Sequence, residues 1–388
     1  MKVFIKFLKH LLIIGSIGYF VIYPILHHLD EINPLTKELS DFRFTDIYFG
    51  QFKQKEIDND IVLVDIGYKN NSTTREELTN FLNSIKPYKP KVIALDVDFK
   101  YDPKVPDTTN YNLIQALNAE NLVMYYNLKK VDDLWLKDAS EIPIDYSKIK
   151  QGYTNCLVEK DTFGVLRFFQ PFVNQRSDTL KHFSIVIAEK FGISIDPSLK
   201  ENKKVMINFG YKYNNPRKLS DTTNLKAMNN KIIIIGLFTK VSGQPFYNDD
   251  LHYTSSNKHY LGKSFPNMYG GEVLATIISN IKANSFIEYK KNLSFILNIC
   301  LSFLVYFLLL YMKTYFYTLY GSIEILTKFF LVMFFIFLSI YFVGYKNIYI
   351  DFTMVGIISF FAVEFIGPID HVIKIIENKL TKIQQIKK

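Results

Sequence analysis

The sequence predicts an α/β fold: a mainly parallel sheet with helices on both faces and an antiparallel appendage, plus four transmembrane helices, one N-terminal and three C-terminal. Three observations predict it. A strand–helix–strand unit occupies residues 60–98, strands and helices alternate from there to residue 283, and long apolar runs are confined to the two ends of the chain.

The first strand is the run Ile61-Val62-Leu63-Val64-Asp65-Ile66, unbroken and β-branched, as in strands buried on both faces. Residues 74–86 read as a helix, with a Thr cap, Glu76 and Glu77 in the first turn, and Leu78, Phe81, Leu82 and Ile85 at helical spacing. Pro87 and Pro90 stop it, and Lys91-Val92-Ile93-Ala94-Leu95-Asp96-Val97-Asp98 supplies a second buried strand. About 30 residues is the length of a βαβ unit with parallel strands. Further along, residues 35–51 read as an amphipathic helix, 111–119 as a helix, and 122–126 as a third strand. Residues 129–150 read as polar and irregular, and 152–173 as an antiparallel pair at the sheet edge. Residues 180–191 form an amphipathic helix closed by Gly192, 205–209 a strand, 231–236 the most strand-like run, and 271–283 a closing helix.

Composition narrows the function classes. The net charge of +9 comes almost entirely from scattered Lys, with Arg only at 43, 75, 167, 176 and 217. A nucleic-acid surface usually uses Arg forks, so no nucleic-acid partner is expected. Cys156 and Cys300 lie far apart and form neither a disulfide framework nor a metal site.

The ends imply a membrane partner. Lys2, Lys6 and Lys9 precede an apolar run over residues 11–26 without a cleavage signature, which reads as an uncleaved anchor. Runs over 293–312, 329–345 and 348–369 follow the middle section, the second at the short limit for a span. Lys313 and Lys328 flank one loop, and Lys374, Lys379, Lys382, Lys387 and Lys388 follow the last run. Positive-inside counting then puts both termini in the cytoplasm and the middle section outside. The expected organisation is residues 1–26 as start and anchor, 27–288 as the external α/β domain, 289–369 as a three-helix module, and 370–388 as a basic tail.

These pieces in this order resemble the CHASE type 2 family, the extracytoplasmic sensory domain of bacterial receptors. The matching segments are Leu39-Ser40-Asp41-Phe42-Arg43-Phe44, the two strands at 61–66 and 91–99, and Gly164-Val165-Leu166-Arg167. Lys231 to Gly236 with Asp249-Asp250, and the helix start at 268–275, complete them. Gly67 and Leu274 depart from it, standing where the family often has an acidic residue and a histidine. The resemblance implies an inner-membrane protein with its large domain in the periplasm and an extracytoplasmic ligand. Family members usually carry a kinase or cyclase after the last span; residues 370–388 contain no phosphoacceptor or ATP-binding motif, so the expected output is a separate membrane or cytoplasmic partner.

Asp65, Asp96 and Asp98 stand at the carboxyl ends of the first two strands, where open parallel sheets bind ligands. They either line a polar pocket or cap the loops that follow. Asp249 and Asp250, after the Ile-rich strand, either join that cluster or are solvated. His252 and His259 have no third ligand nearby, so no metal and no cofactor is expected, and without a nucleophile elbow or triad pattern no enzyme activity is expected either. Within the apolar runs, Asn298 can bond between helices, and Glu364 can pair with a partner subunit or a lysine at the membrane edge. The alternative to a sensor is a docking subunit of an envelope complex.

Overall fold

The structure, a computed structural model, describes residues 2–17, 43–67, 71–97, 103–131, 134–138, 149–155, 165–175, 178–201, 203–239, 251–258 and 266–386. The chain divides into two compact units, Phe49–Glu288 and a second made of Met1–Tyr48 with Tyr289–Lys388. Helix α1, Lys2–Ile17, opens the second of these.

The Phe49–Glu288 unit is built on a seven-stranded sheet. Its elements in chain order are β1 (Ile61–Asp65), α2 (Asn71–Ile85), β2 (Val92–Leu95), α3 (Asp107–Leu117), β3 (Leu122–Val131), β4 (Leu134–Asp138) and β5 (Lys150–Tyr153). After these come α4 (Phe183–Phe191), β6 (Arg217–Lys218), β7 (Ile232–Gly236) and α5 (Gly270–Ala283). The strand order is β6-β1-β7-β2-β3-β4, with β5 also pairing β3. Every pairing is parallel except that of β4 with β3. The β1-α2-β2 unit is thus a crossover whose two strands are not neighbours: the Ile-rich β7 lies between them.

Alternate residues of the central strands feed two cores. Val64, Ile93, Leu95, Ile233 and Ile235 pack under α2 and α3 through Leu78, Phe81, Ile85, Leu113 and Leu117. Ile61, Leu63, Ala94, Ile232 and Ile234 pack under α4 and α5 through Phe183, Ile187, Leu274 and Ile278. β7 is buried along its whole length, which is why it reads as continuous isoleucine rather than as an alternation.

Three local expectations are corrected. Residues 129–131 and 134–138 are not irregular: β3 runs on to Val131 and β4 returns beside it, pairing Lys129 with Leu136 and Lys130 with Trp135. The segment expected to start an antiparallel pair at 152 instead joins the parallel sheet as β5. Gly152 permits this, because a Cβ there would lie 2.6 Å from the Phe183 Cα at the start of α4. The antiparallel pairing comes from the later part of that run, Phe168–Phe169 with Val205–Met206 and Phe172–Gln175 with Asp178–Lys181, so α4 begins at Phe183 rather than at 180. His182 caps it, accepting from the Ser184 N–H at 3.2 Å, and Gly192 ends it at φ 91°.

The second unit contains α1, α6 (Lys291–Tyr315), α7 (Tyr317–Lys346) and α8 (Thr353–Ile386). Two stretches, Lys291–Tyr315 and Leu326–Lys346, are long and apolar enough to cross a membrane. Thr353–Ala362 with Glu364–Ile383, bent by 52°, makes a third if the pair is one span. The expected fourth span is described only as far as Ile17, in α1; residues 18–26 lie outside the described residues, as do residues 35–42 of the expected entry helix. Asn347, at φ 51°, makes the tight turn between α7 and the segment leading to α8.

Candidate functional site at the carboxyl edge of the sheet

The parallel register aligns three residues across the carboxyl ends of β1, β7 and β2. Gly236 of β7 is paired with Asp65, and the preceding Ile235 is paired with Leu95, so Asp96 follows on the far side. The row Asp65–Gly236–Asp96 exists only because β7 inserts between the strands that carry the two aspartates. A Cβ on Gly236 would stand 3.7 Å from the Asp96 Cβ and 3.6 Å from the Phe238 ring. The glycine therefore leaves the middle of the row low.

The two aspartates do different work. Asp65 is buried and satisfied within the protein. Its Oδ1 accepts from the Gly67 N–H at 3.0 Å and the Phe238 N–H at 2.9 Å, and its Oδ2 accepts from the Thr239 hydroxyl. It stitches the segment leaving β1 to the segment leaving β7. Gly67 sits at φ 66°, a left-handed conformation that an acidic side chain would strain. Its departure from the family pattern is thus part of the same stitch.

Asp96 is partly buried, and its backbone N–H donates to the Ile235 carbonyl at 2.8 Å. Among the described residues no group hydrogen-bonds its carboxyl, and burial alone pushes it up to about 6. A carboxylic acid held there can donate a hydrogen bond when protonated, or pair with an incoming cation when ionised. Asp98, Asp249 and Asp250 lie outside the described residues, as does His259. His252 is held below its ordinary value by burial, and among the described residues no group of three metal-ligating side chains forms.

Phe238 closes one side of the edge. It meets Tyr269 edge-to-face at 6.0 Å, and a Cβ on Gly271 would fall 2.5 Å from its Cζ, so the first turn of α5 lies directly on this ring. Glu272 accepts from the Tyr269 N–H at 2.9 Å, and burial raises its carboxyl. Leu274, where the family has a histidine, is buried in the core beneath α5 and offers no polar chemistry to the edge.

The family model described as the CHASE2 domain matches residues 20–312. This chain belongs to the CHASE2 domain family. The CHASE2 match begins within the N-terminal region, covers the sheet and extends through most of α6. CHASE2 is a family of extracytoplasmic sensory domains, and the apolar helices beyond the domain fit membrane anchoring. No curated protein and no solved structure gives a significant match.

Sequence reasoning missed a second polar cluster, at the opposite edge of the CHASE2 sheet. Asp58 is buried and accepts from Ser279 Oγ at 2.7 Å and Lys282 Nζ at 2.6 Å. Asp60 pairs with Lys282 and with Lys231, each at 3.0 Å, and these lysines hold its carboxyl below the usual range. The cluster clamps the end of α5 to the start of β1. The signal was the run Asp58-Asn59-Asp60 just before a buried strand, legible only once α5 is known to end there.

In the helical unit, Asn298 does bond between segments. Its Nδ2 donates to the Ser294 carbonyl at 2.8 Å and the Asp351 carbonyl at 2.5 Å, and its Oδ1 accepts from the Val355 N–H at 2.8 Å. It thereby supplies an acceptor to the first turn of α8. Glu364 pairs with Lys328 of α7, the lysine option among its expected partners.

Proposed function

We propose that this protein is a multi-pass inner-membrane sensor whose CHASE2 domain binds an extracytoplasmic small molecule at the carboxyl edge of the sheet, with Asp96 as the contact that reads it. Asp98, Asp249 and Asp250 complete the candidate pocket, and Asp65 positions its wall. The observation that carries this reading is the Asp96 carboxyl, which has no hydrogen-bond partner among the described residues. It stands beside a glycine-floored row while its counterpart Asp65 is satisfied three times over. Carboxyls kept in such a state cost stability and are retained where they act on something else.

The sensor works without turnover. The Thr239 hydroxyl at this edge is engaged by Asp65, a carboxylate that two backbone N–H groups already hold. Such an arrangement fixes a wall and supports binding over chemistry. The state of the domain passes through the apolar helices to a separate partner. The end of α8 supports that route: Ile375, Ile376, Leu380 and Ile383 are exposed on it, interspersed with Lys374, Lys379 and Lys382. The lysine distribution supports cytoplasmic termini and a periplasmic domain.

The test is a thermal melt of the purified full chain against small-molecule fractions of a bacterial envelope extract. A fraction that raises the wild-type midpoint but not that of Asp96→Asn supports the site. If no fraction moves the wild type, while detergent pull-down returns a stoichiometric partner, the domain is a docking platform and the sensory reading fails.

A further inference from the structure

The helical unit holds a buried polar junction that the sensory site does not use. His10 of α1 is fully buried. Its Nε2 lies 2.9 Å from Asp370 Oδ1 of α8, and its Nδ1 lies 2.6 Å from the Tyr306 hydroxyl of α6. A carboxylate can only accept, so Nε2 carries a proton, and in the neutral imidazole Nδ1 then accepts from the tyrosine O–H. Lys6 reaches the same Asp370 oxygen at 2.7 Å, and Lys9 meets Glu377 at 2.5 Å, about two turns further along α8. Both imidazole nitrogens are satisfied, and a fully satisfied buried network rigidifies what it joins. Phe7 adds an edge-to-face contact with Phe307 of α6 at 5.6 Å.

Where these bonds fall on α8 matters. Pro368 lies inside that helix, so it donates no bond to the Glu364 carbonyl and its ring crowds that carbonyl. The 52° bend between Thr353–Ala362 and Glu364–Ile383 falls at the residues this would disturb. Just beyond the bend, Glu364 ties α8 to Lys328 of α7, and further along Asp370 and Glu377 tie it to α1. Before the bend, the Val355 N–H is held by Asn298 of α6, so the two halves of one helix are anchored to different neighbours. The two helices anchoring the junction, α1 and α6, are those that precede and follow the sensory domain in the chain.

We propose that the His10–Tyr306–Asp370 junction is a coupling joint: it latches the distal half of α8 to α1 and α6 across the Pro368 hinge, so that displacement of the helices flanking the domain reorients that half. What the joint transmits rests on the sensory reading; the latch itself does not, and it is tested without ligand.

The test uses the full chain in lipid nanodiscs with Cys156 and Cys300 replaced by Ser. Spin labels go at positions 12 and 380, where Leu12 and Leu380 are 73% and 56% exposed. Double electron–electron resonance should give a single narrow distance population in this background. His10→Ala and Asp370→Asn should each lose that single population to a broad one, and Tyr306→Phe, which deletes one hydroxyl and spares the packing, should broaden it less. Lys328→Met, which removes the tie to α7 and spares the junction, should leave it narrow. Adding Pro368→Ala to His10→Ala should restore much of the narrowness. A distribution that stays narrow in Asp370→Asn and Tyr306→Phe overturns the joint, whether or not His10→Ala folds, and leaves the ligand site at the sheet edge untouched.

Discussion

Replacing Asp96 with Asn should stabilise the ligand-free protein, and the size of the gain follows from its environment. Burial raises this carboxyl from 3.8 to about 6. Below 3.8 both folded and unfolded chains hold the proton and there is no penalty. Between 3.8 and 6 the unfolded chain ionises first, so stability falls as pH rises through the folded value. A rise of that size corresponds to about 3 kcal/mol lost at pH 7 and above. Asn keeps the shape without the charge, so Asp96→Asn should melt roughly 5–10 °C higher than wild type at pH 7.5 for a domain of this size. The gap should shrink to about half at pH 5, where the folded carboxyl is mostly protonated. Thermal melts of the full chain in detergent from pH 4.5 to 8 measure both. A variant no more stable than wild type at pH 7.5, or a gap that does not narrow at pH 5, would refute the claim that Asp96 is an uncompensated carboxyl.

Other positions respond differently. His182 is held neutral, lowered to about 3 by burial, so its contribution is complete above 6.5 and is lost as pH falls toward 3, by at most about 1.4 kcal/mol per pH unit. Because this slope opposes that of Asp96 between pH 4 and 6, the Asp96→Asn protein should lose stability on acidification more steeply than wild type. Asp58→Ala should cost about 2 kcal/mol in the same melts, since it strips a buried carboxylate from Ser279 and Lys282 while Lys282 keeps Asp60. Gly271→Ala should cost about 1–3 kcal/mol by driving a Cβ into the Phe238 ring, and Phe238→Leu in the same chain should recover part of the loss. If Gly271→Ala is neutral alone, α5 does not rest on that ring.

The strands that build the sheet were legible wherever burial on both faces made them continuously apolar: β1, β2 and β7 each fall inside their expected bounds. Their order was not. Which strand lies between β1 and β2 is decided by pairings between residues far apart in sequence, such as Ile61 with Ile232, and no local pattern encodes that. Strand β4 was missed for the opposite reason. Its outer residues and the lysines of β3 face water, so the pair Lys130–Trp135 looks like a loop until the partner strand is in place.

The site was half legible for a related reason. Residue type and strand position pointed to both Asp65 and Asp96, but what separates them is the supply of donors from residues 67, 238 and 239. Those come from two loops that sequence distance keeps apart. Asp65 is a loop cap, whereas among the described residues nothing bonds the Asp96 carboxyl. In the helices, Glu364 found a lysine as its position allowed, whereas the junction of His10, Tyr306 and Asp370 needed three helices to meet before it could be seen.

Carbodiimide labelling at pH 6, read peptide by peptide by mass spectrometry, tests the central claim most directly, because the reagent attacks accessible protonated carboxyls. Asp96 should label rapidly while Asp65, buried under three donors, should not, and an envelope fraction that raises the melting point should protect Asp96 selectively. Labelling of Asp96 that is no faster than that of Asp65, or that a stabilising fraction leaves unchanged, would contradict a ligand site at this edge.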